Sequence, residues 1–446
     1  MERCPCVQPP QTASGTVRRV TISAAPPTLH STLANGLRVL ALPMPWRQTL
    51  SLSVFIRSGS LHEPRRWAGI SHVVEHMAFK GTPTRSCQAI NLAAEALGAE
   101  LNAHTDKDHT AYHLDGLAAD LPLFVELLAD IILHPSVPED ELERERQVIL
   151  HELTEVEEDP VTMAFLAFDR ACYGALHPAA RPVIGQRATI ERLTRADLLA
   201  YLQSQYVASE VVVAAAGPVD LDTLVPLVER HFGAMPAGTP QPLPRAPWQG
   251  GWRQYRLGGS SQTQLVLGYP APTPDDDRHL AHVLAAALLG EGMSSPLLDE
   301  VRERRGLAYH VACSADLLPC GGQFIIEAAT SPAQALEYLD AVATLLRRHA
   351  EARPKAPELA RARQQLRLRA LRQQEQPARR LEQSVQELFT LGRLRADGEW
   401  LERLDAVTPA QVQAVFRQQQ AGPAAVGVAG SVPQRLREQA APWFGV

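Results

Sequence analysis

The stretch that most constrains this 446-residue chain runs Gly69-Ile70-Ser71-His72-Val73-Val74-Glu75-His76-Met77-Ala78-Phe79-Lys80-Gly81-Thr82 and contains H-x-x-E-H. A helix turns about 100° per residue, so His72 and His76 share one face a turn apart, and Glu75 lies about 60° off that line. Two imidazoles can then grip one metal ion, with a carboxylate beside them to take a proton from water. A surface helix that happens to carry two histidines and a glutamate would show the same letters. The flanks favour the metal: Gly81-Thr82-Pro83 stops the helix, and Val73, Val74, Met77 and Phe79 supply an apolar face for burial. Polar groups on a largely buried helix need a partner, because leaving them unpaired is costly.

A chain of this length is expected to form two domains of about 220 residues. With 45% hydrophobic and 21% charged residues it has the composition of a soluble globular protein. The net charge of -6 argues against a nucleic-acid partner. Of its 43 basic residues only Lys80, Lys107 and Lys355 are lysines, a skew that suggests a GC-rich bacterial genome. The N-terminus lacks the apolar core of a signal peptide and no run reaches transmembrane length, so the expectation is cytoplasmic, with no membrane contact. Six scattered cysteines do not form a disulfide framework and are expected to be reduced. Cys4 and Cys6 have too few neighbours to make a second metal site.

Along the chain, residues 1–25 read as a loose N-terminal arm rich in Pro, Thr and Ser. Strands are expected at Leu37–Leu42 and Leu50–Ile56, then the motif helix, a helix from Gln88 to Leu97, and a hairpin of Glu100–Thr105 with Thr110–Leu114. Helices at Ala118–Leu133 and Pro138–Glu158, a strand at Glu210–Ala216 and a helix at Leu221–Phe232 complete a first α+β unit over 26–232. The Gly-, Pro- and Gln-rich stretch 233–259 reads as a linker. From 260 to 446 the order begins again: a strand at Gln262–Tyr269, a helix at His279–Leu289, strands at Leu307–Ala315 and Gln323–Ala329, long helices, and a strand at Ala424–Val428. This is a duplicated unit visible in element order. The second copy offers His279 and His282 but no H-x-x-E-H, so only the first half can bind metal in this way.

Two histidines call for a third protein ligand. Glu143-Arg144-Glu145-Arg146-Gln147-Val148-Ile149-Leu150-His151-Glu152-Leu153 supplies candidates, with Glu145 and Glu152 seven apart on one helix face. A solvated acidic face accounts well for Glu141, Glu143, Glu155, Glu157 and Glu158. It accounts less well for Glu152, because Val148, Ile149 and Leu153 should place that turn against the core.

From about Thr28 onward the chain resembles the pitrilysin-type inverted zincins, and within them the two-domain, mitochondrial-processing-peptidase-like branch. The match rests on H-x-x-E-H followed, 76 residues after His76, by Glu152 in the context Glu145-Arg146…Val148…Glu152. The resemblance implies a zinc-dependent endopeptidase with one Zn²⁺ per chain, held by His72, His76 and Glu152, with Glu75 as general base. Glu145 would be a carboxylate that orients a ligand. Leu101-Asn102-Ala103-His104-Thr105 resembles the family's edge strand, so Asn102 and Ala103 would bind an extended peptide substrate as an added strand. Asp106-Lys107-Asp108-His109 departs from the family's wording there. Val301-Arg302-Glu303-Arg304-Arg305-Gly306-Leu307-Ala308-Tyr309 is similar to the family's Arg/Tyr pair, implying that Arg302 and Tyr309 bind substrate backbone and stabilise the transition state. The implied fold is α+β, two similar α/β-sandwich domains forming half of a clamshell. The implied assembly is a homodimer, or a heterodimer with a homologous chain, in which the Arg/Tyr pair serves the neighbouring chain's zinc. The alternatives are a non-catalytic partner subunit and a dedicated processing protease for a peptide precursor.

Overall fold

The strand signals resolve into two sheets. The computed structural model describes residues 27–243, 245–316 and 318–446. The expected arm at 1–25, with Cys4 and Cys6, therefore lies outside the described residues. The first sheet contains β1 (Leu29–Thr32), β2 (Arg38–Pro43), β3 (Thr49–Ile56), β4 (Glu100–Thr105), β5 (Thr110–Leu117) and β6 (Val211–Gly217) in the order β1-β2-β6-β3-β5-β4. The second contains β7 (Gly251–Arg256), β8 (Thr263–Ala271), β9 (Ala308–Asp316), β10 (Gly322–Thr330) and β11 (Ala425–Gly430) in the order β7-β11-β8-β10-β9. Apart from the extra β1, the two orders superimpose: β2 and β6 run parallel, as do β7 and β11, and every other pair is antiparallel. The duplication read from element order is thus a duplication of topology. Strand β7 falls inside 233–259, the stretch expected to be linker. It carries only Trp252 as a buried apolar side chain, too weak an alternation to signal a strand.

Alternation along the first sheet divides it into two apolar faces. Val39, Leu52, Val54, Tyr112, Leu114 and Val213 pack on the inner face against α1 (Ile70–Ala78), α2 (Cys87–Ala96) and α3 (Leu121–Leu133). Helix α4 (Glu139–Glu158) crosses α1, burying Leu142, Glu145, Ile149 and Leu153 as one stripe. Val148, expected against the core, is 42% exposed, because it sits a 100° step away from Ile149 and off that stripe.

The outer faces are covered by exchange. Helix α5 (Pro160–Tyr173), which the sequence pattern did not reveal, leaves the first unit and packs Ala164, Phe168 and Ala171 on Val266, Ile325, Ala425 and Ala429 of the second sheet. In return, the helix Pro377–Leu391 packs Leu381, Val385, Leu388 and Phe389 on Leu40, Leu42, Phe55, Val212 and Ala214 of the first. Each large apolar side chain so buried contributes roughly 1.5–3 kcal/mol at most. Close approach needs small residues: a Cβ at Gly427 would lie 2.2 Å from the Ala164 carbonyl oxygen. No helix among the described residues is long and apolar enough to cross a membrane, and the described Cys87, Cys172, Cys313 and Cys320 are free thiols.

Candidate metal centre

The motif helix begins at Gly69, whose φ of 96° is natural only to glycine and whose Cβ would strike Gly185 and Ile190. The buried Glu63 carboxylate caps the helix, accepting hydrogen bonds from the Gly69 N–H (2.7 Å) and the Ser71 N–H (2.9 Å). Burial raises the Glu63 pKa against the lowering effect of these bonds. The hydroxyls of Ser71 and Ser58 meet the phenol of buried Tyr201 at 2.7 and 2.8 Å. Val73, Val74 and Met77 are buried beneath, which turns His72, Glu75 and His76 towards α4.

There the donors converge. One ligand atom each from His72, His76 and Glu152 lies within 4.8 Å of the others. Glu152 Oε2 is 3.9 Å from His72 Nε2 and 3.8 Å from His76 Nε2, and the two imidazole rings meet edge-on at 4.5 Å. These separations are too long for hydrogen bonds and leave space between the donors. Burial, with the neighbouring His76, lowers the His72 pKa to about 4, so it is a neutral imidazole at pH 7. Glu145 Oε2 lies 3.0 Å from His76 Nδ1, while its other oxygen takes the Lys80 ammonium at 2.6 Å. Burial opposes ionisation of Glu145, yet Lys80 and His76 hold its pKa below the usual value. The Glu145 carboxylate therefore lies against the Nδ1 side of the His76 ring, whose Nε2 faces Glu152.

Glu75 faces the edge of the sheet, where Thr105 on β4 donates a hydrogen bond to its Oε2 at 2.5 Å. Burial raises the Glu75 pKa, with Thr105 and His76 pulling the other way. Asn102 and Ala103 lie on β4, whose only strand neighbour among the described residues is β5, so the other edge of β4 is unpaired. Asn102 Oδ1 accepts from the Ala103 N–H at 2.8 Å. Arg302 and Tyr309 lie in the second unit, one on either side of the turn into β9. The Arg302 guanidinium sits 5.1 Å from the Tyr309 ring centre and Tyr309 is 84% exposed. No hydrogen bond or ion pair joins either to His72, Glu75, His76 or Glu152 among the described residues.

Sequence reasoning missed three supporting groups. Lys80 was partly legible, being four residues past His76 in the turn that ends the motif helix. Thr105 could be found from alternation, which puts it on the same side of β4 as Ala103. Glu63 carried no local signal.

Residues 38–186 match the profile described as Insulinase (Peptidase family M16), and residues 192–366 the one described as Peptidase M16 inactive domain. A Mycobacterium tuberculosis protein named an uncharacterized zinc protease is 35% identical, over 92% of this chain and 95% of its own length. The Lentinula edodes protein named mitochondrial-processing peptidase subunit beta is 35% identical over 62% of this chain and 56% of its own. The fold is shared with a solved protease from Helicobacter pylori, with a TM-score of 0.82 at 23% identity, covering 91% of this chain and 99% of that one. With a duplicated sheet topology, two matching profiles and a relative aligned almost end to end, this chain belongs to peptidase family M16.

Proposed function

We propose that the chain is a zinc-dependent endopeptidase of short or unstructured peptides, holding one zinc ion through His72, His76 and Glu152. The observation that carries this reading is the convergence of those three donors with Glu75 beside them. The donor set fits zinc: a neutral imidazole at His72, a second imidazole oriented by Glu145, and a carboxylate. When bound, zinc lowers the pKa of water and polarises a carbonyl. Glu75 takes a proton from the attacking water and returns one to the departing amine. Its burial favours that exchange by raising its proton affinity, and Thr105 holds it in place.

The unpaired edge of β4 offers N–H and C=O groups to a substrate lying alongside Asn102 and Ala103 as an extra strand. A peptide stapled as a helix should then be cleaved far more slowly than its flexible counterpart, and equal rates would count against strand addition. Arg302 and Tyr309 are read as donors to substrate backbone and developing oxyanion. Their lack of contact with the chain's own His72–Glu152 cluster supports a shared site. Two chains, each half of a clamshell made of the two units built on the first and second sheets, would complete each other as a homodimer or a heterodimer with a homologue. A non-catalytic subunit would have no need to keep His72, His76, Glu152 and Glu75 together.

The deciding experiment compares Glu75→Gln with His76→Ala. The first should keep zinc and lose turnover, and the second should lose both. A Glu75→Gln chain as depleted of zinc as His76→Ala would overturn the division of roles.

A further inference from the structure

A second cluster of metal-binding side chains lies on the opposite face of β4. Thr105 points towards Glu75; His104, one residue earlier, points the other way. The turn after β4 carries His109, and Glu382 comes from the exchanged helix Pro377–Leu391, 273 residues later in the chain. One ligand atom from each of His104, His109 and Glu382 lies within 4.8 Å of the others. His104 Nε2 is 3.3 Å from His109 Nε2, and His109 Nε2 is 3.1 Å from Glu382 Oε1. Ligands about 2.0–2.1 Å from a tetrahedral ion stand about 3.3 Å apart, so these spacings suit one ion better than the 3.8–3.9 Å seen between imidazoles and carboxylate at the first centre.

The far side of each imidazole is also held. His109 Nδ1 lies 2.8 Å from the buried Asp108 carboxylate. His104 Nδ1 meets His113 Nε2 at 2.9 Å, and His113 Nδ1 meets Ser53 Oγ at 2.7 Å. Two proton arrangements satisfy that chain, and the one that suits an ion has His113 donate to Ser53 and His104 donate to His113. It leaves the His104 Nε2 lone pair facing the gap. A carboxylate or a second ring behind each ligand imidazole is how proteins fix the tautomer of metal-bound histidine.

We propose that His104, His109 and Glu382 form a second site for a divalent transition-metal ion, zinc being the best fit to two imidazoles and a carboxylate. The ion ties the edge strand of the first sheet to the helix supplied by the second unit. On binding it displaces the proton from His109 Nε2 to solvent, while Asp108 keeps the one on Nδ1. The turn 106–109 already reaches the other exchanged helix through Lys107, which pairs with Asp169 of α5 at 2.5 Å. The ion would therefore pin the same turn to both exchanged helices. The competing account needs no metal. Burial disfavours a charged His109, but hydrogen bonds to Asp108 and Glu382 raise its pKa to about 10, so a protonated His109 can bridge the two carboxylates alone.

The test uses the full-length chain, stripped of metal by chelation and titrated with Zn²⁺ by calorimetry and with Co²⁺ by visible absorption. Wild type should bind two ions per chain; His76→Ala and His104→Ala, one each; the double variant, none. Glu382→Gln, which keeps the side-chain shape, should weaken the ion retained by His76→Ala at least tenfold, and Zn²⁺ should raise the melting temperature of His76→Ala. A folded His76→Ala chain that binds no ion at micromolar concentration would overturn the proposal and leave the protonated bridge. So would an ion in His76→Ala that both His104→Ala and Glu382→Gln leave unchanged. Loss of the first centre alone would show as a normal second equivalent in His76→Ala, so the two readings fail separately.

Discussion

The two halves place a helix at the same point of the same topology, after the corresponding strands β3 and β8, and use it in opposite ways. In the first half α1 buries one face and turns His72, Glu75 and His76 to a gap bordered by the carboxylates of α4. In the second, the helix His279–Gly290 is buried almost all round, including His279 and His282 at 1% and 4% exposure. Their Nδ1 atoms lie 2.6 and 3.3 Å from the backbone carbonyls of Asp276 and Arg278. The neighbouring helix Ala356–Glu375 contributes Arg361, which donates to the Leu288 carbonyl at 2.9 Å, and no third metal-binding side chain joins His279 and His282 among the described residues. A histidine pair on a core helix becomes a candidate ligand set only when the facing helix brings an acid and leaves room. In the second half the facing helix instead brings Arg361, which satisfies the carbonyls of Leu288 and Glu291.

The largest expected effect breaks the pair apart. His72→Ala or His76→Ala should remove zinc from the first centre and lower peptide turnover by about three orders of magnitude or more, the scale expected when a nucleophile-activating ion is lost. His282→Gln should leave metal content untouched. Elemental analysis beside a peptide assay decides it, and zinc loss in His282→Gln would erase the contrast. Next comes the relation between halves. Mixing Glu75→Gln chains with Tyr309→Phe chains, each nearly inactive alone, should restore up to one working site per mixed dimer. No recovery after proven subunit exchange would mean that Tyr309 serves its own chain or no catalysis.

Smaller effects test the exchanged helices and the buried histidines. Gly427→Ala puts a methyl group against the Ala164 carbonyl and should cost about 1–3 kcal/mol in urea unfolding. An unchanged midpoint would mean that α5 can move aside. Burial lowers the pKa of both His279 and His282. A depressed folded-state pKa gives stability that is present above the unfolded value of about 6.5 and lost as pH falls below it. Between pH 7 and 5 the His279→Gln/His282→Gln chain should therefore lose less stability than wild type. Parallel pH profiles would show that folding does not depress the pKa of these imidazoles.

The sequence by itself determined the motif helix, the hairpin of β4 and β5, the long acidic helix and the repeat of element order. Each is written in local periodicity, 3.6 or 2 residues, and neighbours a few positions apart are enough to read it. It placed Glu145 and Glu152 on one face of α4, because that too is a statement about spacing along one helix. Only the tertiary structure decided which helix covers which sheet. Periodicity says that a helix has an apolar face, and not whose sheet it meets, so nothing local marked α5 for the second sheet or Pro377–Leu391 for the first. The convergence of His104, His109 and Glu382 was hidden for the same reason, since two of its members share a hairpin and the third arrives on a helix borrowed from the other half. Glu63 was equally silent, because a buried carboxylate capping a helix is recognisable only once the chain has folded back to meet the N–H groups it accepts from.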